Sequence, residues 1–378
     1  MPSLIIIMVS LISLLWIIRQ RKYPPSQQYG MIDAIVPAFN EEACIIDTVR
    51  SLKANPYINK VIVVNDGSTD STASILDLLA IGCRRVKVIH QKNTGKGGAL
   101  MNGLSQSDAP YVFLTDADTV LPAEGDGLGY MIAEIERGAD AVGGIALSNL
   151  DGAGLLPHVR ASTKLACILI IRTFQQICGG HPFLISGACG LFKREVLLDV
   201  QFSDRTKVED LDMTWSLIAK GYKIRQASRA FVYSQECNSL KSEWLRWRRW
   251  IVGYAVCMRL HSNLLLTRFG LGTMIPVFLS SFVATGLVIY TTVTVSLLAI
   301  VNTDHLTVYT IMWLGLLFAI GLASAFHHRK PILLLLVPAS VIYVLMSSSV
   351  WLIHGLRGLF TGREPQRDKP TRYAHVVG

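Results

Sequence analysis

Carboxylates gather at three places in this 378-residue chain. Asp66 follows the run Val61-Ile62-Val63-Val64-Asn65, Asp116 and Asp118 flank Ala117 after Tyr111-Val112-Phe113-Leu114-Thr115, and Glu209, Asp210 and Asp212 crowd together just ahead of Met213. Acids held at strand ends can hydrogen-bond a ribose or a base, or give hard oxygen ligands to Mg2+ or Mn2+ bridging a diphosphate. Asp-Gly and Asp-x-Asp are also ordinary turn formers, but two such sites at successive strand ends favour chemistry. In the third group any one acid suits a helix N-terminus. A general base there needs one free carboxylate, and Asp210 is the candidate, with Glu209 beside it to tune or orient it.

Two basic segments complement these acids. Asn93-Thr94-Gly95-Lys96-Gly97-Gly98 lacks the Gly-x4-Gly-Lys-Ser/Thr spacing of a phosphate-binding loop, yet a glycine-rich helix start with Lys96 can hold an anion. A flexible turn is the plainer alternative. Trp244 to Trp250 packs three tryptophans and three arginines, Arg246, Arg248 and Arg249, into seven residues. Such a segment suits an interfacial helix anchor, or a site where arginine neutralises a leaving diphosphate while an indole stacks on a sugar ring. Between them, Ser186-Gly187-Ala188-Cys189-Gly190 is a small-residue bend where backbone can approach a ligand closely.

The elements that must position these residues follow from periodicity. Met31 to Pro37, Lys60 to Val64, Val86 to His90 and Tyr111 to Thr115 read as buried strands, alternating with helical stretches such as Glu41 to Ala54. That alternation predicts an α/β fold: a mostly parallel sheet with helices on both faces, and ligands at the carboxyl ends of the strands. Leu155 to Gln176 mixes basic and apolar residues and suits either a helix at a membrane surface or an amphipathic core-facing helix.

A mean hydropathy of +0.40 and 51% hydrophobic residues are too apolar for a purely soluble protein. Pro2 to Ile18, Thr273 to Val301, Leu306 to Phe326 and Pro331 to Ile353 approach or reach the length of a membrane span. Arg19-Gln20-Arg21-Lys22 then keeps the polar region in the cytosol, and His327-His328-Arg329-Lys330 reads as a second cytosolic loop. The tail carries Arg357, Arg363, Arg367, Lys369 and Arg372, so Pro331 to Ile353, interrupted by Pro338, is read as a possible re-entrant segment. Seven scattered cysteines form no CxxC pair and read as reduced core thiols. The net charge of +9 is assigned to topology and anionic membrane lipid. No nucleic-acid partner is expected, because no base-reading or stacking pattern accompanies the charge.

With these residues in order, the chain resembles the membrane-embedded inverting family 2 glycosyltransferases, the group of cellulose, hyaluronan, chitooligosaccharide and poly-N-acetylglucosamine synthases. The resemblance rests on Asn65-Asp66-Gly67, Asp116-Ala117-Asp118, Val208-Glu209-Asp210 in place of T-E-D, and Arg246-Trp247-Arg248-Arg249-Trp250 in place of Q-x-x-R-W. It implies a GT-A fold in which Asp66 contacts the uridine nucleotide and Asp116 and Asp118 meet the sugar diphosphate and its Mg2+ or Mn2+. Lys96 and Arg249 join the donor side. Asp210 deprotonates the acceptor hydroxyl with Glu209 beside it, Trp250 floors the acceptor site, and Gly187, Cys189 and Arg246 belong to the acceptor side.

The domain expectation is a transmembrane anchor at 1–22, a cytosolic GT-A domain at 30–235, interfacial helices at 236–272, a transmembrane region at 273–355 and a basic tail at 356–378. The functional expectation is an integral membrane protein of the plasma (inner) membrane. It would move sugar from a UDP-sugar onto a growing β-linked polysaccharide, coupled to translocation, possible homo-oligomer included. Arg246 departs from the glutamine usual in processive synthases, so transfer of one sugar to a lipid acceptor is the alternative. A non-catalytic nucleotide-binding transporter is a third.

Overall fold

In the computed structural model, residues 2–364 are described except 21, 124, 204, 302–314, 316, 317 and 363. Most of the run Leu306 to Phe326, Arg21, and the tail residues Arg363, Arg367, Lys369 and Arg372 lie outside the described residues.

Strands β1 (Ile32–Ala38), β2 (Ile58–Asp66), β3 (Val86–Gln91) and β4 (Tyr111–Leu114) alternate with helices α2 (Ile45–Ala54), α3 (Thr72–Ala80) and α4 (Gly95–Ser105), after an N-terminal helix α1 (Pro2–Gln20). The chain continues through β5 (Thr119–Val120), α5 (Gly127–Glu136), β6 (Ala141–Ser148), α6 (Leu155–Gly179), β7 (Gly190–Lys193), α7 (Arg194–Val200), α8 (Glu209–Ala219), β8 (Ile224–Ser234) and α9 (Leu240–Leu260). All eight strands form one sheet in the order β3-β2-β1-β4-β7-β6-β8-β5.

The expectation of a mostly parallel sheet needs correction. β3, β2, β1 and β4 are parallel, but β7 runs antiparallel between β4 and β6, and β5 is antiparallel to β8. The sheet is mixed. β6 and β8 pair in parallel, with a register shift between Gly143 and Ile145.

Both faces of the parallel half are covered, which is why its strands are apolar throughout. Ile32, Ala34, Val36, Val61 and Val63 pack in one core with residues of α2 and α5, while Ile35, Ile62, Val64, Val112 and Leu114 pack in another with α4, α8 and α9. Asp33, wholly buried in β1, accepts from Ser107 Oγ, Asn59 Nδ2 and the Asp108 and Ala109 N–H groups at 2.9–3.2 Å. A buried carboxylate needs that many donors.

α6 has one face toward the core. Val159, Ala161, Leu165 and Ala166 are buried, and α1 docks along it, with Ser13 Oγ donating to the Ile170 carbonyl at 3.1 Å. Among the described residues, one helical run, Pro338–Thr361, is long and apolar enough to cross a membrane. A pair bent by 45°, Gly270–Ser280 with Phe282–Tyr290, qualifies only as one broken span. The expected run Pro331 to Ile353 is therefore divided: a short helix Ile332–Leu336 precedes the longer run, which continues past Ile353. Trp351 of that run packs edge-on against Tyr254 of α9 at 5.6 Å between ring centroids, tying the C-terminal helices to the core that α4, α8 and α9 share.

Candidate active site

Loops at the carboxyl ends of the parallel strands interlock first. After β1, Asn40 takes a positive φ of 51° and its Oδ1 accepts from the Thr69 N–H at 2.7 Å, while the Glu41 N–H donates to Thr72 Oγ1 at 2.8 Å. Asp66, at the end of β2, is only 4% exposed. Its Oδ1 accepts from the Thr94 N–H and Gln91 Nε2, both at 2.8 Å, and its Oδ2 from the Gly95 N–H at 3.0 Å. The acid thus fastens the turn that begins α4. Orphan N–H groups at a helix start attract a carboxylate.

That turn carries Lys96. Its Nζ lies 2.6 Å from Asp116 Oδ1 and 3.0 Å from Glu209 Oε1, with the lysine side chain 12% exposed. β4 supplies Asp116 half-buried and Asp118 buried, and Asp118 Oδ1 accepts from Thr119 Oγ1 at 3.2 Å. The Thr115 hydroxyl donates to the Ala188 carbonyl at 2.9 Å, joining the end of β4 to the small-residue bend.

The bend in turn meets α8. Gly187 gives its N–H to Asp210 Oδ2 at 3.1 Å, and a Cβ at Gly187 would stand 2.8 Å from Lys96 Nζ. Lys96, Glu209, Asp210, Ser186, Gly187, Ile185 and Met213 line one cleft, about 300 Å³ including the part open to solvent. Burial and the neighbouring Glu209 carboxylate push the Asp210 carboxyl up from its ordinary value, against the pull of Lys96 and the Gly187 N–H. Asp212 is engaged elsewhere: Arg205 Nη2 and His261 Nε2 each lie 2.7 Å from its Oδ1, and although burial would raise its carboxyl, these hydrogen bonds and the Arg205 charge hold it below its ordinary value. Of the three acids, Glu209 and Asp210 face the cleft.

α9 is capped by Ser239, whose Oγ accepts from the Ser242 N–H at 3.2 Å. It sits on α8 where Gly253 meets the Val208 side chain. Arg246 is turned to acids, with Nη1 at 2.6 Å from Glu236 Oε2 and Nη2 bonded to Glu243. Arg160 and Lys164 of α6 complete this buried network, Arg160 bonding Glu243 at 2.8 Å and Lys164 bonding Glu236 at 2.7 Å. Trp250 is half-buried among Arg160, Arg246 and Trp247, and Arg249 is half-buried on the same helix.

The fold therefore brings Lys96, Asp116, Glu209, Asp210 and Gly187 together, with Asp66 one turn behind. Cys189 lies apart: it is 1% exposed, a Cβ at Gly144 would stand 2.2 Å from its Sγ, and burial pushes its thiol up to about 12. Reading the sequence alone misses Glu236, Arg160 and Lys164, although the i, i+4 spacing of the two cations on α6 marks one face. It also misses Arg172, whose Nη1 donates to the Gly144 carbonyl at 3.5 Å. Burial lowers that guanidinium to about 10 while Asp210 and Cys189 oppose the shift.

Residues 33–200 match the family model for glycosyl transferase family 2. Over its full 378 residues the chain is 52% identical to an uncharacterized glycosyltransferase of Escherichia coli (strain K12), YaiP, and covers 95% of that protein. The chain belongs to glycosyl transferase family 2. This family 2 enzyme is also 29% identical to poly-beta-1,6-N-acetyl-D-glucosamine synthase of Staphylococcus aureus (strain COL) over 227 residues, 59% of this chain and 54% of that one. In fold, the glycosyltransferase is similar to the mannosyltransferase PcManGT from Pyrobaculum calidifontis, solved with GDP-Man and Mn2+. The TM-score is 0.51 at 17% identity, over 89% of this chain and 94% of that chain. The architecture is thus a GT-A-like mixed α/β fold, and the transporter reading gives way to an enzyme.

Proposed function

We propose that this glycosyltransferase moves a sugar from a UDP-sugar to the hydroxyl of a growing β-linked polysaccharide by one inverting displacement at a membrane. The observation that carries the reading is the cleft in which Asp210, its carboxyl raised by burial and Glu209, lies beside Lys96, whose ammonium also reaches Asp116. A sugar hydroxyl is a poor nucleophile and needs a base, and a raised carboxyl is a stronger one. A diphosphate leaving group needs positive charge, for which Lys96 and Arg249 are the candidates. Asp66 is assigned to the nucleotide; its Oδ1 is bonded to Gln91 and Thr94, and its Oδ2, bonded to Gly95, has a second lone pair to offer. Trp250 is assigned to the acceptor side with Gly187. Arg246 and Cys189 act there through what they hold in place, since one is bound to Glu236 and Glu243 and the other sits in the core.

Asp116 and Asp118 are the residues that would hold Mg2+ or Mn2+. The fit is supported by Asp116 already carrying a cation, the Lys96 ammonium, on one oxygen. Among the described residues no group of three His, Cys, Asp or Glu side chains is assembled as a metal cage. Two acids on one turn suit an ion that takes its other ligands from phosphate and water. When bound, such an ion neutralises charge on the leaving diphosphate.

The proposed organisation keeps the anchor at 1–22, the GT-A domain at 30–235, the helices at 236–272, the membrane region at 273–355 and the tail at 356–378, with the GT-A domain on the cytosolic side of the plasma (inner) membrane. A second reading, one sugar onto a lipid acceptor, is favoured by Arg246 standing where processive relatives carry glutamine. Sizing the product made by purified protein in lipid nanodiscs with a panel of UDP-sugars tests both. A long polymer supports the first reading and one sugar per lipid the second; a donor panel that yields no product overturns both.

A further inference from the structure

We propose that Lys96 is an internal counter-cation that competes with the divalent metal for Asp116, so that metal and donor load the site together. The proposal deepens the reading of Asp116 as a metal-holding acid and rests on it. Its basis is one short segment, Thr94-Gly95-Lys96, which serves two acids at once. Thr94 and Gly95 give their N–H groups to Asp66, while Lys96 reaches from the first turn of α4 to Asp116 and Glu209.

The charge balance explains why a lysine belongs there. Glu209 is buried, Asp210 partly so, and Asp116 beside them keeps a side chain 35% exposed; like charges brought this close disfavour ionisation unless a cation is shared among them. Lys96 is that cation. An ion coordinated by an Asp116 oxygen, at the short distances metals take, would lie against an ammonium that is itself 2.6 Å from the same carboxylate. With Nζ on Oδ1 at most Oδ2 is left for the ion, and the two cations repel across one carboxylate. Gly187, having no Cβ, leaves the ammonium room on its other side, where an added methyl would stand 2.8 Å from it, so the Lys96 side chain can swing off Asp116.

The turn that carries Lys96 is bonded to Asp66 through the Thr94 and Gly95 N–H groups. A nucleotide that meets Asp66 brings its diphosphate beside this turn, and Lys96 follows that second anion, leaving Asp116 to the metal. Nucleotide and metal then bind with positive coupling, and by linkage each tightens the other by the same factor.

The test is a Mn2+ titration followed by electron paramagnetic resonance on the full chain in nanodiscs, with and without UDP, comparing the parent with Lys96→Met and Lys96→Arg. The expected result is weak Mn2+ binding by the parent alone, tightened about tenfold or more by UDP, within the usual range of coupling between sites. Lys96→Met should bind Mn2+ alone about tenfold more tightly than the parent, with the UDP effect reduced. Its thermal midpoint should fall without metal and recover with Mn2+. Lys96→Arg, which keeps the charge, should behave as the parent. Unchanged or weaker Mn2+ binding by folded Lys96→Met overturns the competition while leaving the metal reading intact. No Mn2+ binding by any form, with UDP bound, overturns both.

Discussion

The Gly187 N–H donates to Asp210 Oδ2 at 3.1 Å, and the same glycine leaves room for Lys96 Nζ on its other side. One backbone position thus holds the proposed base and clears the path of the lysine that faces it. Substitution by Gly187→Ala places a methyl 2.8 Å from the ammonium. The lysine must move, but it is the far end of a flexible side chain, so stability should change little. Because small misplacements in a reacting constellation are costly, kcat should fall by about ten- to a hundredfold, measured as nucleotide release beside a thermal melt. An unchanged kcat would contradict the role given to this bend.

The buried network of Glu236, Glu243, Arg160, Lys164 and Arg246 gives a stability prediction. Glu236→Gln leaves three cations around one acid and should cost about 3–5 kcal/mol, read by denaturant unfolding. Adding Arg246→Met should recover part of that loss, as expected for coupled neighbours.

The same network gives a pH dependence. Burial alone would raise Glu236, but Lys164, Arg246 and Arg160 outweigh it and hold the carboxyl well below its ordinary value. A depressed carboxyl contributes stability that is present above its unfolded value of about 4.3 and is lost as pH falls through the folded value. Acid unfolding below that value should therefore be less steep in Glu236→Gln than in the parent, measured by thermal midpoints from pH 7 down to pH 3.

Asp210 runs the opposite way. Burial and Glu209 raise it, so the acidic limb of kcat/KM should lie above the ordinary range of an aspartate, activity being lost as pH falls through the raised value. Linkage has the matching sign: a carboxyl raised in the fold favours folding at low pH and opposes it once ionised. Asp210→Asn should thus melt no lower than the parent at pH 7.

The contact between α8 and α9 makes a separate prediction. A Cβ at Gly253 would stand 2.6 Å from Val208 Cγ2. Overpacking of this kind typically costs about 1–3 kcal/mol, and Gly253→Ala should lower both the melting temperature and kcat. Val208→Ala in the same chain should restore much of each.

Much of this was legible in the residues. β-branched runs ending in Asp66 and Asp116 told both the strands and which of their ends carry polar groups, because strands covered on two faces cannot alternate. The inserted antiparallel strand was not: Gly190-Leu191-Phe192-Lys193 is four residues long, too short to show a period, and its direction is set by pairing with β4 and β6. Glu236 was hidden for a different reason. Its partners Arg160 and Lys164 lie more than seventy residues earlier in the chain, and ion pairs of that kind leave no local pattern. Cys189 shows the limit of composition, since a small-residue bend says that backbone comes close but not that the thiol turns toward Gly144.

The central claim is that Asp210 is the base for sugar transfer in this glycosyltransferase. Its most direct test is sugar-dependent UDP release by Asp210→Asn beside the parent, in nanodiscs with Mn2+ and the UDP-sugar that the parent uses. The account predicts a loss of turnover of about a hundredfold or more, with UDP affinity retained and no loss of stability. Turnover near that of the parent in the folded variant would contradict it.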